Sequence, residues 1–354
     1  MKLLLMILCL VFFLQGFSTV KAEDEAYFAG KTIRFVVGFR PGGGTDIQAR
    51  YFALNWSKYI PGNPRVLVSN LTPNIASVNY LYKARPDGLT LYFTASGPVG
   101  NQYDKHAHFK AKDLRWVGGH AAREMIWLVR DTAPYKRLEE CRTTKPEKPL
   151  LMTAREIENL SGKWLSAVTL ARWFGCSLKV QAIGRGGTED DLLMLERGET
   201  HTFLAGSVWY SLPQRRPGWL SKGFLTQFAD LSHPETHVGP NEESKMVLPN
   251  VYELLTREQK EIWRAIHFPE VYIGKGIMAP PGTPENVLAT LRKSYEAALA
   301  DAKFSGGLEK LMGQPVTLIP GGRLEELTKE YMETFKPATK ERVLKEAVDY
   351  IKQQ

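Results

Sequence analysis

Short apolar runs that alternate with amphipathic stretches constrain the architecture of this chain more than any other feature. TIRFVVGF (32–39) is rich in Ile, Val and Phe, ends in a turn signal and reads as a buried strand. Residues 45–59 read as a helix: Thr45-Asp46-Ile47-Gln48 has the capping-box form, and Ile47, Tyr51, Leu54 and Trp56 recur at roughly helical spacing. VLVS (66–69) follows as a strand, 76–84 as a helix and LTLYFTAS (89–96) as a strand, with Pro86-Asp87-Gly88 as the turn before it. LRWVGG, EMIWLVR and PLLMT (149–153) read as strands, 161–175 as a helix, 178–183 as a strand, 187–198 as a helix and 201–206 as a strand. Residues 256–267 read as a helix, and 270–279 as one long strand or a strand pair. Helices over 284–302 (Thr283 as N-cap), 324–335 and 341–352 close the chain. Strands alternating with helices imply parallel sheets with helices on both faces.

At 354 residues, 44% of them apolar, the chain is long enough for two domains. Its first stretch reads as a secretory signal. Lys2 precedes the apolar run Leu3–Leu14, and Val20-Lys21-Ala22 offers small residues where a signal peptidase reads, so cleavage is expected after Ala22. The run is shorter than the ~20 residues of a membrane span. Loss of Lys2 and Lys21 takes the formal charge from +8 to +6. Lys and Arg are scattered, which suits an exported protein biased toward anionic ligands rather than one that binds nucleic acid. Two cysteines remain, Cys141 and Cys176, and two free buried thiols are expected in preference to a bridge.

Three consecutive glycines, Gly42–Gly44, sit between the first strand and the first helix. The first N–H groups of a helix lack internal partners, and the helix dipole places partial positive charge there. Glycines let backbone N–H groups approach an oxyanion closely, whereas a tight turn alone needs one. The nucleotide-binding patterns fail: no lysine follows Gly44, and a Gly-x-Gly-x-x-Gly reading from Gly42 ends at Ile47. A second strand–glycine–helix stretch stands at Gly184-Arg185-Gly186-Gly187-Thr188. Two α/β domains offering one such loop each can close on a small anion, and a carboxylate suits these donors.

The segments KTIRFVVGFRPGGGTDIQAR (31–50), ARPDGLTLYFTASG (84–97), 182–207, APPGTPENVLATLRKSYEAAL (279–299) and 313–335 carry a resemblance over nearly the whole mature chain. Together they resemble the substrate-binding receptors of tripartite tricarboxylate transporters, the Bug-type or TctC-like family. The resemblance implies a two-lobed type II periplasmic-binding-protein fold. Each lobe is a mainly parallel sheet flanked by helices, and two crossing strands join the lobes. The lobes are expected at 27–124 plus 275–354 and at 125–274. It further implies a periplasmic, monomeric, non-enzymatic receptor, without metal or cofactor, that delivers an organic anion to membrane permease subunits. Carried over residue by residue, the ligand-binding positions are Arg40, Pro41, Gly42, Gly43, Thr45 and Asp46, then Ser96 and Gly97. Ser161, Gly186, Gly187, Thr188 and Ser207 belong to the second lobe. The chain departs from the family pattern at Arg40, at SNLTPNIAS with Asn70 and Asn74, at Arg155-Glu156, and in the long segment 208–267.

Arg40 reads either as a carboxylate clamp or as a solvated loop arginine, while Arg155 reads as solvated or ion-paired. Asp46 suits a helix N-terminus but repels an anion; it holds a water or takes a ligand's amino group instead. Trp164 and Trp173 read as core, and Trp209 with Tyr210 offers an aromatic stack toward a ligand. His106 and His108 lack a third metal ligand at a recognisable spacing, and no nucleophile–base set stands out. A receptor for a sensor kinase and an exported α/β enzyme acting on an anion are the competing readings.

Overall fold

TIRFVV forms β1 (Thr32–Val37), in which Ile33 and the run Phe35–Val37 are buried, as expected for a strand covered on both faces. The computed structural model describes residues 27–354 except 96, 103–105, 122–124, 155–156, 158–161, 184–187, 207, 233–240, 242, 268–270, 272–273, 314 and 335. The expected signal and its cleavage site at Ala22 lie outside the described residues. β1 pairs in parallel with β2 (Arg65–Asn70) and β3 (Thr90–Ala95). The crossovers carry α1 (Gly44–Asn55) and α2 (Asn74–Tyr82).

Beyond β3 the sheet changes direction. β10 (Lys275–Ala279) runs antiparallel between β3 and β4 (Arg115–Ala121), and β11 (Thr317–Pro320) runs antiparallel to β4 on its other side. The six-stranded order is β2-β1-β3-β10-β4-β11. One face buries Phe35, Phe52, Trp56, Phe93 and Tyr295 with α1, α8 (Glu285–Ala300) and α9 (Ala302–Met312). The other buries Val36, Leu81, Tyr92, Trp116 and Leu324 with α2 and α10 (Gly321–Thr334). Gly118 and Gly119 of β4 allow both layers to close onto its backbone. A Cβ would lie 2.4 Å from the Tyr295 ring at Gly118, and 2.7 Å from Leu324 Cδ1 at Gly119.

The second group of strands is less parallel than expected. β6 (Leu150–Ala154) and β7 (Leu178–Ala182) form a parallel pair. β5 (Ile126–Arg130), however, runs antiparallel to both β8 (Thr202–Ala205) and β9 (Leu225–Asp230). The alternation argument applies to strands joined directly by one helical crossover, and β5 is joined in that way to neither β8 nor β9. The His201 N–H donates to the Leu151 carbonyl (2.9 Å), and the Leu151 N–H donates to His201 Nδ1 (3.0 Å), tying β6 to the start of β8. Helices α4 (Gly162–Phe174), α5 (Thr188–Arg197), α6 (Val208–Arg215) and α7 (Arg257–Ile266) accompany these strands.

Other features also differ from the sequence reading. The final helix, α11 (Pro337–Gln353), buries Val343 and Ala347 in the core formed by Trp127, Val168 and Trp263, whereas α8 and α9 cover the six-stranded sheet. Cys141 and Cys176 are joined in a disulfide, not free thiols. Thr283 precedes the N-cap of α8, which is Pro284, and instead donates its hydroxyl to the Pro280 carbonyl at 2.8 Å. Among the described residues, no helix is long and apolar enough to cross a membrane.

Candidate functional site

The glycine-rich loop leaves β1 at its C-terminal end, and most of its conformation is set from behind. Gly42 has φ +80°, a left-handed conformation that favours glycine. Asp46, in the first turn of α1, reaches back under the loop. Its Oδ2 accepts from the Gly42 N–H (2.8 Å) and from Arg50 Nε (2.9 Å), and its Oδ1 accepts from Asn70 Nδ2 (2.8 Å). Asn70 Nδ2 also donates to the Phe39 carbonyl (2.9 Å), and its Oδ1 accepts from Arg50 Nη2 (3.0 Å). Burial alone pushes the Asp46 carboxyl up; the hydrogen bonds from Arg50, Asn70 and Gly42 outweigh that and hold it below the usual carboxylate range. With its side chain 1% exposed, Asp46 is buried beneath the loop and braces it. Asn70, in the segment that departs from the family pattern, is part of the same brace.

The expected capping box does not form. Gly43 occupies the N-cap position of α1, with no side-chain hydrogen bond to the helix, and Gln48 turns inward instead. The buried Gln48 Oε1 lies 3.0 Å from His120 Nε2, while His120 Nδ1 lies 2.8 Å from the Tyr295 hydroxyl. Nε2 therefore carries the proton and Nδ1 accepts from Tyr295. The first intrahelical bond joins the Ile47 N–H to the Gly43 carbonyl (2.9 Å). This leaves the N–H groups of Gly44, Thr45 and Asp46 without a partner among the described residues. Arg40, Pro41, Gly42 and Gly43 are exposed beside them, and Thr45 is 8% exposed.

Sheet register brings further groups to this edge. Lys275, the first residue of β10, pairs across Ala95 of β3 and His120 of β4. Gly97 opens the short helix α3 (Gly97–Asn101) directly after β3. A Cβ built on Gly44 would lie 3.9 Å from Lys275 Nζ, and outside its own helix and chain neighbours no other atom of the described residues stands within 4 Å of it. The lysine amine thus sits at the N-terminus of α1. It keeps partial solvent access, yet protein surrounds most of it, and this desolvation lowers its pKa to about 8. Burial, with the Lys275 charge beside it, pushes His120 down to about 3, so the imidazole is neutral. Lys275 was not singled out from the sequence; an isolated lysine in an apolar run carries no local signal.

The second set of candidates is only partly described. Ser96, Ser161, Gly186, Gly187 and Ser207, and Arg155 with them, lie outside the described residues. Thr188 begins α5, whose first turn holds Glu189, Asp190 and Asp191. Lys163, in the first turn of α4, donates to the Leu204 carbonyl (3.3 Å), placing the start of α4 beside the end of β8. The expected aromatic stack fails at Trp209, which is fully buried against Ile126, Leu128 and Leu212. Its indole fills the core because α6 turns that face onto β5. Among the described residues no His, Cys, Asp and Glu cluster suits a metal ion.

No protein-family model matches the chain, and no curated protein matches it in sequence. Solved structures match its fold. A TctC solute-binding protein from Polaromonas is 17% identical, with a TM-score of 0.61, over 92% of this chain and 99% of that one. The periplasmic binding protein BugD is 18% identical, with a TM-score of 0.59, over 92% and 98%. MatC from Rhodopseudomonas palustris, solved with bound malate, is 20% identical, with a TM-score of 0.60, over 90% and 100%. The α/β fold is that of these periplasmic binding proteins, as the resemblance of the PGGGTD and APPGTP segments led one to expect.

Proposed function

We propose that this protein is an exported solute-binding receptor. It captures a small organic anion, most simply a carboxylate, and delivers it to the permease subunits of a tripartite tricarboxylate-type transporter. The first lobe comprises 27–124 plus 275–354, with the final helix reaching across to the second core, and the second comprises 125–274. Closure of the lobes about the crossing segments encloses the ligand.

The observation that carries this reading is the open first turn of α1. Three N–H groups converge there with neither a cap nor a partner among the described residues. Elsewhere the chain closes a comparable nest with its own carboxylate: Glu243 accepts from the N–H groups of Gly218, Leu220 and Ser221. At Gly44–Asp46 that place is left to a ligand. Fold similarity adds support, since MatC holds malate on the same fold. The Cys141–Cys176 disulfide agrees with an oxidising compartment and hence with export.

A thermal-shift panel of di- and tricarboxylates, aromatic carboxylates, amino acids and nucleotides tests the reading. A ligand at ~100 times its Kd adds ~2.7 kcal/mol of apparent stability. Stabilisation by one carboxylate class supports the receptor. A response to nucleotides alone, or to nothing in the panel, overturns it.

A further inference from the structure

We infer that Lys275 is the specificity-determining residue of this site: its ammonium pairs directly with the ligand carboxylate across Gly44, so the site takes ionised acids and rejects their neutral amides. The inference rests on the receptor reading above and deepens it.

The placement of the lysine is what needs explaining. Lys275 starts the central antiparallel strand, and the four residues after it are buried. Its side chain makes no hydrogen bond or ion pair with any described residue, and the nearest loop carboxylate, Asp46, is committed to Arg50, Asn70 and the Gly42 N–H. Its amine instead stands 3.9 Å from the position a Gly44 Cβ would take, beside the positive end of α1. A cation held against a helix N-terminus is unfavourable unless an anion lies between them. The cross-strand neighbour, His120, donates to Gln48 and accepts from Tyr295, so it offers Lys275 no compensation. One carboxylate oxygen on the ammonium and the other on the Gly44–Asp46 N–H groups relieves both charges together. Glycine at 44 keeps that slot open. The amide of the same acid turns an NH₂ donor toward the Lys275 ammonium or the Gly44–Asp46 N–H groups, which are donors themselves, and is rejected.

The test uses the purified protein, with malate, succinate, adipate and benzoate as probes, each beside its own amide, by isothermal titration calorimetry. Wild type binds at least one acid and none of the amides. Lys275→Met weakens that acid at least about thirty-fold, as truncating one partner of a desolvated charge pair does, and Lys275→Arg recovers part of the loss. Without ligand, Lys275→Met melts at or above the wild-type temperature, because the lysine has no structural partner among the described residues to lose. Wild-type affinity in Lys275→Met, amide binding comparable to the acid, or a marked fall in the ligand-free melting temperature each overturns this inference while leaving the receptor reading in place. No binding of any acid by wild type overturns both.

Discussion

Replacing Gly44 with alanine should separate the fold from the site. Beyond its own helix and chain neighbours, the added methyl would meet just Lys275 Nζ, at 3.9 Å, among the described residues. The backbone tolerates it, since Gly44 lies within α1 and is not among the positive-φ glycines. Glycine within a helix costs about 0.5–1 kcal/mol relative to alanine. At the first helical position the gain is a fraction of this, and the ligand-free protein should melt at most about 1–3 °C higher. Binding should move the other way. A carboxylate oxygen accepting from Lys275 needs an N···O distance of about 2.8 Å, and the methyl fills that space. Overpacking of this kind costs about 1–3 kcal/mol, or roughly 5- to 150-fold in affinity. Differential scanning calorimetry without ligand, followed by titration with the best carboxylate of the panel, reads both effects. Unchanged affinity would show that no ligand enters between Gly44 and Lys275. A destabilised ligand-free protein would show that the loop is packed differently. Gly43 is a poorer choice, because its Cβ would press on the Arg40 carbonyl at 3.3 Å.

Asp46→Asn should destabilise the fold by about 2–3 kcal/mol, the loss of charge-assisted hydrogen bonds. The folded pKa of Asp46 is depressed, so its stabilisation is present above the unfolded value and lost as pH falls through the folded one. Melting temperatures between pH 7 and 2 should therefore converge for wild type and variant at the acid end; a constant gap would refute the brace. Lys275 contributes in the same direction but in an alkaline window, through a charged form that the fold disfavours. Its amine, at about 8 in the fold against 10.5 for the ordinary side chain, binds fewer protons than in the unfolded chain above pH 8. Between pH 8 and 10 wild type should thus gain stability relative to Lys275→Met, with neutral His120 contributing nothing. Parallel profiles would place the amine in water. Reducing the Cys141–Cys176 bridge, which spans a sequence separation of 35, should cost about 3–4 kcal/mol in urea unfolding by the loop-entropy relation. Ligand affinity should not change, and an affinity loss would tie the bridge to the site.

The sheet elements were legible because their residues are locally consistent: TIRFVV and LTLYFTAS read as buried strands and form β1 and β3. The buried face of α1 was not. Ile47 and Leu54 fit the helical spacing, yet they are 40% and 83% exposed, while Asp46 and Gln48 turn inward. Periodicity assumes that polar residues seek water, and here the loop and His120 recruit them. The same recruitment emptied the expected capping box, while Thr256 and Gln259 form one at α7. The loop and its open helix N-terminus were readable from the glycines, but the neighbouring Lys275 was not. Its position depends on β10 inserting between β3 and β4, a pairing of segments far apart in the chain. Spacing alone likewise says nothing of the distance that joined Cys141 to Cys176, or of the core that received Val343 and Ala347.

The most direct test of the central claim is an amide chemical-shift titration of the ¹⁵N-labelled protein with the best carboxylate of the panel. The account predicts that the largest shifts fall on Gly44, Thr45 and Asp46, whose N–H groups gain a charged acceptor. Saturable binding that leaves these three amides unmoved would contradict it.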